Sequence, residues 1–324
     1  MLLFINFPKW ISAEIIPGLP IRWYGLMYVF AFVTTYIVFR YQAKKKEIKI
    51  SADDTQSLFL FGIMGVLLGA RLFSVLIYNG TSYYWLRPWL IFWPFSNGSF
   101  VGLPGMSYHG GLVGAIVGVL IYSYKNKRSF FELADVACIG IPLGYTFGRL
   151  GNFINGELWG RVSTSNIAVL FPFADRFSTN YQWVRDIADK LNIEYVVGNF
   201  VNLPRHPSQL YEAFFEGIIL FLFMWFVIRR NRSKKYNGYC LSWYLIGYGV
   251  IRFFIEYFRE PDSNLGYIIQ FDNQANNPAL FQTVLNLSMG QIFCLLMVVS
   301  GIILSLILKI KQKKAVEAIN ENRK

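Results

Sequence analysis

Long apolar runs separated by short polar punctuation dominate the chain, near residues 21–39, 57–78, 109–124, 132–150, 208–228, 238–258 and 290–308. Each approaches the roughly 20 residues that cross a bilayer as a helix, and repeated outward-alternating strands are absent. The pattern predicts an all-α polytopic membrane protein with seven transmembrane helices. Helices 1–4 fall within residues 21–150 and helices 5–7 within residues 208–310.

The segments between the runs differ in kind. Residues 1–20 are apolar and aromatic, carry Pro8, Pro17 and Pro20, and read as an interfacial arm. Residues 79–108 hold Trp85, Trp89 and Trp93, side chains that favour headgroup level, and read as an external arm. Residues 151–207 have mixed charge and no span. They are expected to form a small extracytoplasmic head segment with an amphipathic helix near 181–191. An external loop is expected at 259–289 and a basic tail at 311–324. No cleavable signal peptide is expected, since the first residues lack a basic leader.

Composition strengthens the membrane reading: only 15% of residues are charged, against about a quarter in soluble domains. The net charge of +12 raises nucleic acid as a partner, but its placement argues against one. Of 31 Lys and Arg, 19 sit in 40–49, 125–128, 229–235 and from 309 onward, beside apolar runs. That is the positive-inside pattern, and it places the N-terminus outside and the C-terminus in the cytoplasm. Cys138, Cys240 and Cys294 have no motif spacing and read as small packing residues. With only two histidines as well, no metal ligand set is expected.

The polar residues inside this apolar frame carry the chemistry. Gly148 to Arg161 places two arginines, two asparagines and a glutamate among glycines at the end of a span. Charge near hydrocarbon costs roughly 3 kcal/mol or more per residue, so such groups are paired, hydrated or functional. Tyr24, Arg71, His109, Arg149 and the group Tyr248, Arg252, Glu256 and Arg259 all map to the outer ends of five spans. Tyr248, Arg252 and Glu256 follow one another at four-residue steps and share a helix face, with Arg259 three residues on. Arg149 and Asn152 are neighbours in the same sense. Guanidinium groups at outer-leaflet depth predict an anion site, and the anion at that depth is a phospholipid headgroup. Arg252 and Glu256 also read as an ion pair holding helices together. His109 suits a proton acceptor. His206 reads as structural, with Ser208 as the cap of the fifth helix. A lipid transporter or flippase would instead spread polar groups through the midplane and show an internal repeat. A non-catalytic scaffold would need no such cluster.

Four motifs carry a family resemblance: His109 to Gly114 (HGGLVG), Gly148 to Arg161 (GRLGNFINGELWGR), Arg205 to Glu212 (RHPSQLYE) and Arg252 to Asp262 (RFFIEYFREPD). With Arg22 to Tyr28 (RWYGLMY), they resemble the prolipoprotein diacylglyceryl transferases of bacteria over essentially the whole chain. The resemblance implies a multi-pass enzyme of the bacterial cytoplasmic (inner) membrane with its active site near the external face. It implies transfer of the diacylglyceryl group of phosphatidylglycerol to the lipobox cysteine of preprolipoprotein signal peptides, with a thioether formed and glycerol 1-phosphate released. It implies no metal or cofactor, and membrane lipids rather than nucleic acid as surroundings. It also implies that Arg149 and Arg252 hold the lipid phosphate, and that Tyr24, His109, Asn152, Glu157, Tyr248 and Glu256 complete the functional set. Arg71, Asn155 and Arg259 are expected at the substrate. The residues agree with this chemistry: charge builds on a leaving phosphate, which guanidinium stabilises, and the thiol must ionise to attack.

Overall fold

The computed structural model describes residues 3–16, 22–78, 82–96, 98–100, 102, 105–231, 235–261, 266–271, 277, 279–281 and 283–321. Ile21, the middle of the basic cluster 229–235, much of the loop 259–289, parts of the arm 79–108 and the end of the tail lie outside them.

The helices are α1 (Trp23–Lys44), α2 (Ala52–Tyr78), α3 (Ser82–Leu86), α4 (Tyr108–Lys125), α5 (Phe130–Ile154), α6 (Gln182–Lys190), α7 (Ser208–Asn231), α8 (Tyr239–Ile255) and α9 (Met289–Glu321). Five of them, α1, α2, α5, α7 and α9, are long and apolar enough to cross a membrane. The chain is therefore a mostly helical, polytopic membrane protein. The other two expected spans are shorter. Helix α4 is 18 residues long, opens on Tyr108-His109 and is diluted by glycine. Helix α8 is an apolar helix of 17 residues. It stops at Ile255 rather than Phe258, so Arg259 lies in the turn beyond it and not on its face.

The chain forms two compact units. In the unit Phe39–Val136, α2 and α4 pack backbone to backbone. A Cβ on Gly114 would lie 2.0 Å from the Gly65 carbonyl oxygen, and one on Gly69 would lie 2.3 Å from that of Gly110. Glycines at one-turn spacing on each helix are thus where the two helices touch. Ser107 starts α4: its hydroxyl accepts from Gly110 N at 3.1 Å, while its own N–H donates to Ala70 O at 2.9 Å.

The unit of residues 1–38 and 137–324 contains the remaining helices and the head segment. Val38, Cys138, Ile139, Leu220, Met224, Ile228 and Cys240 form one apolar core from α1, α5, α7 and α8. All three cysteines are buried and none forms a disulfide. In the head, α6 presses Val184 and Ala188 against Val162, Val201 and Leu203. The N-terminal residues Ile5–Asn6 join this head as a short parallel strand on Val169–Leu170, with Phe7 packed on Phe153 and Phe171.

Helix α7 departs from a plain α-helix. Residues Ala213–Ile219 and Met224–Ile228 form wider turns with i→i+5 bonding, a feature frequent at functional sites. Ser208 is not its cap. Pro207 occupies that position, and the buried Ser208 hydroxyl donates instead to the Leu158 carbonyl at 3.1 Å.

Candidate active site

Three of the four motifs meet through main-chain bonds. Gly160 N donates to His206 O at 2.9 Å, Arg161 N to Phe258 O at 2.9 Å, and His206 N to Arg161 O at 2.9 Å. Glycine is required at 160, because a Cβ there would lie 2.2 Å from the Phe258 carbonyl oxygen. Two buried arginines tie the same junction. Arg161 donates through Nε to Arg259 O at 2.7 Å and through Nη1 to Leu280 O at 2.8 Å. Arg205 pairs with Glu260 and lies 4.0 Å over the Trp159 ring. Burial pushes the Arg205 guanidinium below its ordinary range, against the pull of Glu260. His206 is held below its ordinary value by burial and then by Arg161, and its Nδ1 lies 3.2 Å from the Tyr211 hydroxyl. The structural reading of His206 fits this setting.

With the loops so fixed, the side chains of α5, α7 and α8 converge. Arg149 Nε and Arg252 Nη1 both approach Glu212 Oε2, at 2.8 and 3.1 Å, and Arg259 Nη1 reaches Glu212 Oε1 at 2.8 Å. Arg252 also approaches Glu216 Oε1 at 3.4 Å and Glu256 Oε2 at 2.9 Å. Tyr145 completes the cluster: Arg149 Nε donates to its hydroxyl at 2.6 Å, and that hydroxyl donates to Glu216 Oε2 at 2.7 Å. The Tyr248 hydroxyl lies 3.5 Å from that of Tyr145, and the two rings stack edge to face. Glu256 accepts from Ser288 Oγ at 3.2 Å and lies against Gly290, where a Cβ would come within 2.4 Å of its Oε1.

Glu212, Glu216 and Tyr145 are the residues that sequence reasoning missed. The signal was present. Glu212 and Glu216 stand one helical turn apart at the head of an apolar span, and both are fully buried. A carboxylate there needs a cationic partner. The expected Arg252–Glu256 pair forms as well, as one edge of a larger network.

Three arginines and three glutamates make a cluster that is formally neutral when all are ionised. It therefore offers an anion oriented N–H donors rather than net charge. Nη2 of Arg149 and Nη2 of Arg259 make no hydrogen bond or ion pair among the described residues, and the two side chains stay 15% and 19% exposed, so an approach remains open. Arg149 Nη1 donates to Asn152 Oδ1 at 3.4 Å, and Asn152 Nδ2 donates to Glu157 Oε1 at 2.8 Å. Asn155 Nδ2 reaches the same oxygen at 3.3 Å. On α1, the Tyr24 and Tyr28 hydroxyls bond at 2.9 Å, and Tyr24 Cα backs onto Gly151. Among the described residues, no group of three or more His, Cys, Asp or Glu is placed to hold a metal ion.

His109 and Arg71 belong to the unit Phe39–Val136. His109 Nδ1 lies 2.9 Å from the Tyr78 hydroxyl, which leaves Nε2 as the ring nitrogen for other partners. Arg71 is buried, donates through Nε to Ile91 O at 2.5 Å and through Nη1 to Gly105 O at 3.4 Å, and faces the Tyr84 ring. It fastens the arm of residues 79–108 to the end of α2.

Residues 11–307 match the family described as prolipoprotein diacylglyceryl transferase. The chain is 48% identical over 335 residues to the phosphatidylglycerol–prolipoprotein diacylglyceryl transferase of Treponema denticola, covering 98% of each chain. It is 49% identical over 317 residues to the Treponema pallidum protein of that name, covering 93% of this chain and 94% of the other. The Borrelia garinii protein of that name is 41% identical over 308 residues, with 93% and 92% covered. The chain belongs to the prolipoprotein diacylglyceryl transferase family.

Proposed function

We propose that this protein transfers the diacylglyceryl group of phosphatidylglycerol to the cysteine thiol of prolipoproteins, the first step of lipoprotein maturation. The thiol sulfur attacks the glycerol carbon that bears the phosphodiester. The C–S bond forms, the C–O bond breaks, and glycerol 1-phosphate departs carrying one more negative charge than the phosphodiester had. Arg149 and Arg252 bind the phosphate and stabilise that added charge, Arg149 through its unused Nη2; Arg259 supports them. Preorganised donors of this kind act most strongly where water is excluded. The observation that carries the reading is the convergence of these guanidinium groups on one buried carboxylate, Glu212. Glu212 holds them together against mutual repulsion, while Nη2 of Arg149 and Nη2 of Arg259 stay uncommitted among the described residues.

Tyr24, Tyr248, Asn152, Glu157 and Glu256 orient substrate and arginines, and Asn155 and Arg71 act at the substrate's edge. His109 takes the thiol proton through Nε2, an assignment supported by the anchoring of its Nδ1 on Tyr78.

The chain spans the cytoplasmic membrane seven times, by α1, α2, α4, α5, α7, α8 and α9, with the N-terminus outside and the active site near the external face. The basic residues that close α1, α4 and α7 support this orientation. Residues 151–207 form the external head segment, and residues 311–324 the cytoplasmic tail.

Purified protein incubated with acyl-labelled phosphatidylglycerol and a lipobox peptide tests the activity. Label is expected on the peptide's cysteine and absent from a Cys→Ser peptide. If no label reaches the thiol while the protein remains folded, the reading fails.

A further inference from the structure

Beside the arginines, the loop after α5 gathers hydrogen-bond acceptors that lack donors. Glu157 has an exposed side chain, yet its Oε1 is pinned by Asn152 Nδ2 at 2.8 Å and Asn155 Nδ2 at 3.3 Å. Its Oε2 takes no hydrogen bond among the described residues. Gln209, wholly buried, donates through Nε2 to the Glu157 main-chain oxygen at 2.6 Å. The remaining amide oxygens of these neighbours, Asn155 Oδ1 and Gln209 Oε1, are buried and accept no hydrogen bond among the described residues. A buried acceptor without a donor is costly, so side chains held in this state mark a place where a donor is brought from elsewhere.

Asn152 links this acceptor cluster to the phosphate-binding side. Its Oδ1 accepts from Arg149 Nη1 at 3.4 Å, and its Nδ2 holds Glu157. A guanidinium and a carboxylate are thus separated by the width of one carboxamide. A phosphodiester seated on Arg149 and carrying a short polyol would bring its hydroxyl groups to Glu157. Hydroxyls supply donors without adding charge, which suits a carboxylate beside a phosphate. A second phosphate on the headgroup would be repelled.

We propose that Glu157, with Asn155 and Gln209, is the subsite for the headgroup hydroxyls of the lipid donor and sets the preference for a glycerol phosphodiester. This rests on the diacylglyceryl-transfer reading and adds the group that distinguishes one anionic phospholipid from another. Glu157 accepts from the hydroxyls through Oε2. Asn152 and Asn155 keep the carboxylate turned toward the headgroup.

The test compares two lipids that differ in those hydroxyls alone, phosphatidylglycerol and phosphatidylpropanol, as donors to a lipobox peptide. A site built to pair hydroxyls rejects the analogue lacking them, so the wild-type kcat/KM ratio is expected to be about 100 or more. Glu157→Gln is expected to cut that ratio by about tenfold, and Asn155→Ala by a smaller factor in the same direction. A wild-type ratio near one, or a ratio that Glu157→Gln leaves unchanged, overturns the proposal. Binding of glycerol 1-phosphate and of propyl phosphate to the full-length protein gives a second readout that needs no turnover. Glu157→Gln is expected to weaken only the former. If neither lipid donates its diacylglyceryl group, the transfer reading falls, and this binding pair alone decides the subsite: equal weakening of both ligands, or of neither, sinks it.

Discussion

Arg149 and Arg252 meet on the same oxygen: Glu212 Oε2 lies 2.8 Å from one and 3.1 Å from the other. Two cations this close would repel in a medium of low dielectric, and the buried carboxylate between them offsets that repulsion. The arginine cluster is therefore organised around a residue of opposite charge.

Glu212 should be as sensitive to change as the arginines. Removing one partner from a buried ion pair costs about 3–5 kcal/mol, because it strands the remaining charges. Glu212→Gln is expected to lower the thermal unfolding midpoint in detergent and to reduce transfer by about a hundredfold or more, since three guanidinium groups lose their common anchor. Unfolding and single-turnover transfer measured on the same preparation check both effects. Wild-type turnover in Glu212→Gln would remove the organising role.

The two arginines should differ in stability while agreeing in activity. Arg252 contacts Glu212, Glu216 and Glu256, whereas Arg149 contacts only Glu212 among the described carboxylates. Arg252→Ala leaves more carboxylate uncompensated. Both alanine variants should lose transfer, by about 10²-fold or more, but Arg252→Ala should unfold at the lower temperature. The opposite order would mean that Glu216 and Glu256 do not depend on Arg252.

His109 carries the proton assignment. His109→Gln keeps a polar side chain that still reaches toward Tyr78 but cannot take a proton. Turnover at neutral pH should fall by about 10²- to 10⁴-fold, the range for a lost general base. Turnover measured across pH decides the matter. Activity retained at neutral pH would assign proton removal elsewhere.

His206 makes the junction of the motifs sensitive to acid. Burial and Arg161 hold its pKa below the ordinary 6.5, so the folded protein resists a proton that the unfolded chain accepts. The unfolded state then binds more protons below about pH 6.5, and stability falls as pH drops from there toward the folded value. The unfolding midpoint should decrease between pH 7 and pH 5, and His206→Gln should flatten that slope. A slope unchanged in the variant would assign the acid sensitivity to other groups.

Gly160 tests the main-chain junction itself. A Cβ there would lie 2.2 Å from a carbonyl oxygen, which backbone alone must move to relieve. Gly160→Ala should therefore reduce transfer by about tenfold or more, since misplacing a site by an ångström costs rate even from outside the chemistry. An alanine variant with wild-type kcat and KM would show that the junction does not set the site.

Much of this could be read along the chain, because its causes are local. A run of apolar side chains must leave water wherever it lies, so the positions of the five long apolar helices and of the basic clusters follow from composition and spacing. The i, i+4 step likewise places Arg252 beside Glu256 without any knowledge of the fold. Helix ends were less legible. Ser208 looks like a cap but spends its hydroxyl on Leu158, fifty residues away in sequence. Arg259 looks like a continuation of α8 but follows its end. Both depend on the β-like pairing of residues 160–161 with 206 and 258, which no local pattern announces.

What only tertiary structure decided is the partnership of charges. Glu212, Glu216 and Tyr145 carry no motif spacing relative to Arg149 or Arg252. They find one another because α5, α7 and α8 pack together, and in a medium of low dielectric each buried charge must be answered by another brought from a distant part of the chain. Sequence alone placed the arginines near one end of their apolar segments. Folding determined that a carboxylate stands between them, and so which of their N–H groups remain for a substrate.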